Sequence, residues 1–168
     1  YGFGDTFVMP NYDVTLYAHW TPYTYTVEFH GNVWDAYYDT SSGLPQSITV
    51  SYGEQVNIAN RFKREGNHWV GWIIEGASDS TLTSTTSQGY MENLNYHDGA
   101  TVHFYAVWEA ERVTVTFASS DMAKGTISGS DSQTVWYGDT ADYDSVVITP
   151  ANDYLLAGWT VHHESQRT

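Results

Sequence analysis

The sequence predicts a mainly β chain of tandem modules, each with one mixed sheet and at most one short helix. Three observations carry this expectation. Apolar and polar residues alternate with period two at 14–20, 23–29, 47–52, 102–108 and 112–117, the pattern of half-buried strands. Landmarks then recur at near-constant spacing. Tyr17 and Trp20 return as Tyr105 and Trp108, 88 residues on, Tyr52-Gly53 as Tyr137-Gly138 after 85, and Gly71-Trp72 as Gly158-Trp159 after 87. Finally, no window holds a 3.6-residue apolar period beyond about three turns, so helix content should be low.

The elements follow in order. Thr6 to Pro10 reads as a short strand stopped by proline, and Asn11-Tyr12-Asp13 turns the chain into a strand over 14–20. After Thr21-Pro22, residues 23–29 place Tyr23, Tyr25, Val27 and Phe29 on one face. Residues 30–46 read as loop, and Ser47 to Tyr52 as a strand ended by Gly53. A polar crossing over 54–65 fits either a short helix or an irregular path. His68 to Ile74 is a strand with apolar residues on both sides, and 76–90 is Ser/Thr-rich loop. In 101–108, Val102, Phe104, Ala106 and Trp108 share a face. The pattern then restarts at 112–117, 132–137, a crossing at 139–150, and 154–161.

The spacing divides the chain into residues 1–20, the closing segment of a preceding repeat, 21–108, a complete repeat, and 109–168, a repeat without its closing strand. A unit of roughly 85–88 residues is a reasonable size for a small domain. Residues 14–20 match a strand that the last unit lacks, so either one copy completes the sheet of the next, head to tail, or the chain is an excerpt of a longer array.

Composition narrows the function. The chain has 168 residues, 41% of them hydrophobic, so it can build a core. A net charge of −14, with six Lys plus Arg, argues against nucleic acid and anionic membrane surfaces. No cysteine is present, so disulfides and thiolate metal sites are excluded. No apolar run approaches the length of a spanning helix, which argues against membrane insertion. An acidic, cysteine-free, Tyr/Thr/Ser-rich chain suits a bacterial exterior.

Several phrases resemble one family. They are Ser51-Tyr52-Gly53-Glu54 with Trp136-Tyr137-Gly138-Asp139, Arg64-Glu65-Gly66-Asn67-His68-Trp69-Val70-Gly71-Trp72, and Thr6 to Trp20 with its Leu16-Tyr17-Ala18-His19-Trp20 ending. Together they resemble the Listeria–Bacteroides repeat, the B-repeat of internalin-like surface proteins, over nearly the whole chain. The resemblance implies β-grasp-like, small α+β modules in tandem on a bacterial surface protein. It implies no catalytic residue, because the shared positions are structural: Gly53 and Gly138 at turns, Gly71 and Gly158 inside strands, and Trp20, Trp72, Trp108 and Trp159 in the core. Residues 73–90 of the middle unit are long, and units of that family are usually shorter than this period.

Candidate chemistry is sparse. Asp139, Asp142 and Asp144 offer oxygen ligands at a spacing loosely like a calcium loop, without its turn glycine. His162 and His163 are neighbours, and on a strand they point apart. Arg61, Lys63 and Arg64 form the one basic cluster, expected on a solvated face. Nothing pairs two carboxylates as general acid and base, and no nucleophile elbow is present. The best binding candidate is Trp34, Tyr37 and Tyr38, with Asp35 and Asp39 among them, in a stretch longer than its counterpart in the last unit. Aromatic rings with carboxylates suit glycans and protein hot spots alike.

Two functions follow as expectations. One is a non-catalytic stalk or fibre repeat of a cell-surface or extracellular protein, whose partners are neighbouring repeats or copies of itself. The other is an adhesin module taking a host glycan or protein through Trp34, Tyr37 and Tyr38. No cofactor is expected beyond the calcium reading of the aspartates.

Overall fold

The computed structural model describes residue 2 and residues 4–162. The protein is mainly β, with 41% of it in strands. Among the described residues there is no α-helix, only a 3-10 turn at Thr40–Ser42. The β-grasp-like expectation allowed one short helix per unit. The crossing over 54–65 takes the irregular path instead and contains two short strands.

The largest sheet belongs to the middle unit. It orders β3 (Ser47–Ser51), β1 (Thr24–His30), β9 (Ala100–Ala110), β6 (Asn67–Glu75) and β7 (Ser84–Thr85). β1 and β9 run parallel, and the other pairings are antiparallel. The period-two pattern fixes which face is buried. Tyr25, Val27 and Phe29 of β1 and Val102, Phe104 and Ala106 of β9 line one core with Trp72 and Ile74 of β6. β6 carries apolar residues on both sides because it is irregular. Its register with β9 shifts between Trp69 and Gly71, which puts Trp69 and Trp72, three residues apart, against the same core. Gly71 is required there, since a Cβ would stand 2.7 Å from the Thr85 carbonyl oxygen of β7.

Two small pairs flank this sheet. β2 (Tyr37–Tyr38) pairs with β5 (Phe62–Lys63), and β4 (Gln55–Asn57) with β8 (Tyr90–Glu92). Beyond β9 the chain passes through Glu111 into β10 (Arg112–Thr116), which pairs antiparallel with β12 (Ser132–Trp136). β11 (Gly125–Gly129) pairs with β13 (Val146–Pro150). Stretches read as loop or crossing at 30–46, 76–90, 118–131 and 139–150 thus contain β2, β7, β11 and β13. β2 and β7 are two residues long and β11 is rich in Gly and Ser, while β13, Val146–Pro150, opens on adjacent valines that break the alternation.

The later strands repeat the geometry of the middle unit. Thr26 and Thr49 meet across β1 and β3 at 3.0 Å, as Thr114 and Thr134 meet across β10 and β12 at 3.3 Å. The Tyr52 amide donates to Tyr23 at 2.8 Å, and the Tyr137 amide to Glu111 at 2.7 Å. Phe29 packs edge-on against Trp72 at 5.4 Å, and Phe117 against Trp159 at the same distance. Gly53 and Gly138 turn with φ of 94° and 91°, open to glycine at little cost.

Three expected strands are absent. Residues 6–10 and 14–20 belong to no strand, nor do residues 154–161. In the middle unit β9 is the central strand that ties β1 to β6. β10 has β12 on one side and no other strand beside it among the described residues, and the stretch around Gly158 and Trp159 has none. Alternation supplies an apolar face, but a strand also needs a hydrogen-bonding neighbour.

Candidate functional site

The aromatic stretch 34–38 is split by the backbone. Trp34 is 96% exposed, and Tyr37 on β2 also faces solvent. Tyr38 points the other way. Its ring lies against Phe62 at 6.2 Å and its hydroxyl donates to the Leu44 carbonyl at 2.5 Å. Tyr38 is therefore a structural residue, and the exposed candidates reduce to Trp34 and Tyr37. The neighbouring acids are also engaged. Asp35 accepts from Arg64 through both oxygens at 3.0 Å. Asp39 accepts from the Ser41 hydroxyl at 2.6 Å and pairs with Lys63 at 2.9 Å, and these hydrogen bonds hold its carboxyl below the usual range.

The basic cluster is not one solvated face. Lys63 is exposed, but Arg61 is among the most buried side chains of the molecule. Its guanidinium lies 3.3 Å from the centre of the Phe29 ring and donates to the carbonyls of Pro45, Asn57 and Ala59. Burial pulls its pKa down to about 10, so it stays cationic at neutral pH. The sequence hid this role, because Arg61 has no apolar rhythm around it.

Asp139, Asp142 and Asp144 do not converge as metal ligands. The one set of three or more His, Asp or Glu groups gathered within 4.8 Å among the described residues lies elsewhere. Asp142 instead holds its own turn, accepting from the Asp144 amide at 3.0 Å while its backbone engages Gln133. His162 is exposed and in no strand, and His163 lies outside the described residues.

The converging set is Glu28, His30 and His103. Glu28 and His30 are two apart on β1, so they share the face opposite Tyr25, Val27 and Phe29. The parallel register sets Glu28 beside His103 and His30 beside Tyr105. The Nε2 of His30 lies 3.1 Å from Nδ1 of His103, and a Glu28 oxygen lies 3.8 Å and 3.4 Å from those nitrogens. The three side chains are 33–40% exposed. Tyr105 stacks on the His30 ring at 4.8 Å and 21°. Sequence reasoning missed this set. Alternation alone places all three residues on outer faces, but only the pairing of strands over 70 residues apart joins them, and that pairing has no local signal.

A second feature is an unfilled edge. Val14, Leu16 and Trp20 are 37%, 68% and 90% exposed, although their counterparts Val102 and Phe104 are fully buried and Trp108 is packed on the core. Near β11 and β13 a cleft of about 450 Å³ runs along Ile127, Ile148, Pro150, Leu156 and Trp159.

No protein-family model matches the chain, and no solved structure matches it either. The chain is similar to a protein of Evansella cellulosilytica named "Putative Gly-rich membrane protein", with 28% identity over 163 residues. That match takes in 92% of this chain but spans only 16% of the relative. Among the described residues no helix is long and apolar enough to cross a membrane.

Proposed function

We propose that this chain is a non-catalytic structural repeat of a bacterial cell-surface or extracellular protein, completed by strand pairing between successive units. The observation that carries the reading is the matched geometry of the β1/β3 and β10/β12 pairs, beside a segment, 14–20, that exposes what β9 buries. A residue of the β9 type on that segment belongs between β10 and the stretch 154–161, parallel to the first and antiparallel to the second, as β9 lies between β1 and β6. Its resemblance to the internalin-type B-repeat supports the surface setting. So does the similarity to a short part of a much longer protein whose name includes "membrane".

The test is sedimentation velocity of the full chain over a wide concentration range. Head-to-tail pairing predicts open-ended growth, suppressed by Leu16→Asp, which would place a charge where Phe104 sits in the middle unit. A chain that stays monomeric at every concentration, or grows equally well with Leu16→Asp, rejects strand completion between copies.

One observation favours a second reading, an adhesin module. A tryptophan 96% exposed beside an exposed tyrosine is an unusual surface. Glycan-array or host-protein binding that disappears in Trp34→Ala would establish it, and binding indifferent to that substitution would reject it.

A further inference from the structure

The fold of the middle unit does not require Glu28, His30 or His103. β10 builds the same strand pair with Thr116 at the position of Glu28, and by repeat spacing Ala118 and Thr15 correspond to His30 and His103. All three residues lie on the outer face of the sheet, where a polar residue of any kind is tolerated. Yet they bring two imidazoles and a carboxylate to one point on the two central strands, the most rigid part of the sheet.

The separations have chemical content. Nitrogen and oxygen ligands about 2.0–2.1 Å from a tetrahedral zinc ion stand about 3.3–3.4 Å from one another. The three observed separations are 3.1, 3.4 and 3.8 Å. They form one triangular face of such a tetrahedron, and the partial exposure of the side chains leaves the fourth corner to solvent. Two imidazoles and a carboxylate select borderline transition ions over calcium and magnesium, which prefer all-oxygen sets. Stacking on Tyr105 fixes the His30 ring, and the register with β6 sets Glu75 across from His103 on the same face, adding negative charge beside the triad. We propose that Glu28, His30 and His103 bind one divalent transition-metal ion, zinc first among them, with water or an outside ligand at the fourth position. This site is independent of the repeat's structural role.

Calorimetric titration of the full chain with zinc, and with calcium as the control, tests the proposal. The corresponding positions of the other units supply the substitutions: Glu28→Thr, His30→Ala and His103→Thr. His68→Ala, which removes a histidine paired with Glu109 at 3.6 Å, serves as the control variant. Circular dichroism confirms that each variant is folded. The expected result is one zinc per chain, no heat from calcium at that site, affinity weakened at least about tenfold by each triad substitution, and no change with His68→Ala. Cobalt should give the intense visible absorption of a four-coordinate centre, lost in His30→Ala. Absence of saturable one-to-one binding, or binding unaffected by His30→Ala and His103→Thr together, would overturn the proposal and leave the three groups as a hydrogen-bonded cluster alone.

Discussion

Truncating Trp72 to alanine should nearly unfold the middle unit, whereas truncating its counterpart Trp159 should not. Trp72 is 1% exposed and touches the rings of Phe29, Phe62, Trp69 and Phe104, with centroids 5.4–6.3 Å away. Its Nε1 donates to the Ile58 carbonyl at 2.7 Å. Removing a buried aromatic ring costs about 3–5 kcal/mol, and leaving a buried carbonyl unmet adds about 1 kcal/mol. The total, about 4–6 kcal/mol, approaches the whole stability of a small domain. Trp72→Phe keeps most of the packing and loses the hydrogen bond, so it should cost about 1–3 kcal/mol. Trp159 is half-buried and among the described residues meets the rings of Phe117 and Tyr143 alone, so Trp159→Ala should cost about 1–2 kcal/mol. The two tryptophans occupy the same place in the repeat and look equivalent in the sequence. They differ because, among the described residues, the strand that encloses Trp72 has no counterpart around Trp159. Urea titration followed by near-ultraviolet circular dichroism reads the differences. A Trp72→Ala loss no larger than that of Trp159→Ala would refute this account of the core.

Arg61→Met should lose about 2–4 kcal/mol, because the carbonyls of Pro45, Asn57 and Ala59 lose their buried donor; Arg61→Lys should not recover it, since an ammonium cannot reach all three. Burial pushes the Tyr25 phenol above its ordinary 10, with its hydrogen bond from Leu94 pulling the other way. The folded state therefore keeps a proton that the unfolded chain has lost. Stability should fall as pH rises past about 10, and urea midpoints at about pH 9 and about pH 11 should differ less in Tyr25→Phe than in the parent. Gly66 has φ of 63°, and a Cβ there would stand 2.1 Å from the Tyr137 ring, so Gly66→Ala should displace that ring and loosen the contact between units. Faster exchange of the Glu111 amide, which donates to Gly66 at 2.8 Å, would show it.

What the sequence made legible is what depends on a single strand. Alternation located β1, β3, β9, β10 and β12 to within a residue or two, a two-sided apolar run located β6, and the recurring Tyr-Gly and Gly-Trp pairs marked equivalent turns and core positions. Pairing was not legible. The same alternation that marks β9 also marks 14–20, yet β9 lies between two neighbours and 14–20 lies beside none. For the same reason the aromatic stretch looked like one patch, until β2 turned Tyr37 outward and Tyr38 inward. The charged residues misled most. Arg61, beside two other basic residues, reads as surface, and only the three-dimensional path of 43–61 reveals the ring of carbonyls that accepts it.

Comparison of the two units also shows where a repeat has room to change. Several inward positions hold, Val27 and Val115, Phe29 and Phe117, Trp72 and Trp159, while Tyr25 becomes Val113 and stays apolar. Each buried ring or branched side chain is worth several kcal/mol, so a replacement there threatens the fold. On the outer face Thr26 is kept as Thr114, but the neighbouring positions diverge. Glu28 becomes Thr116 and His30 becomes Ala118. An exposed substitution on a sheet usually moves stability by no more than about 0.5 kcal/mol, so these positions vary without structural penalty. A residue set confined to the outer face of one unit is therefore not explained by folding, which is why Glu28, His30 and His103 mark the place where this unit is expected to differ in what it binds.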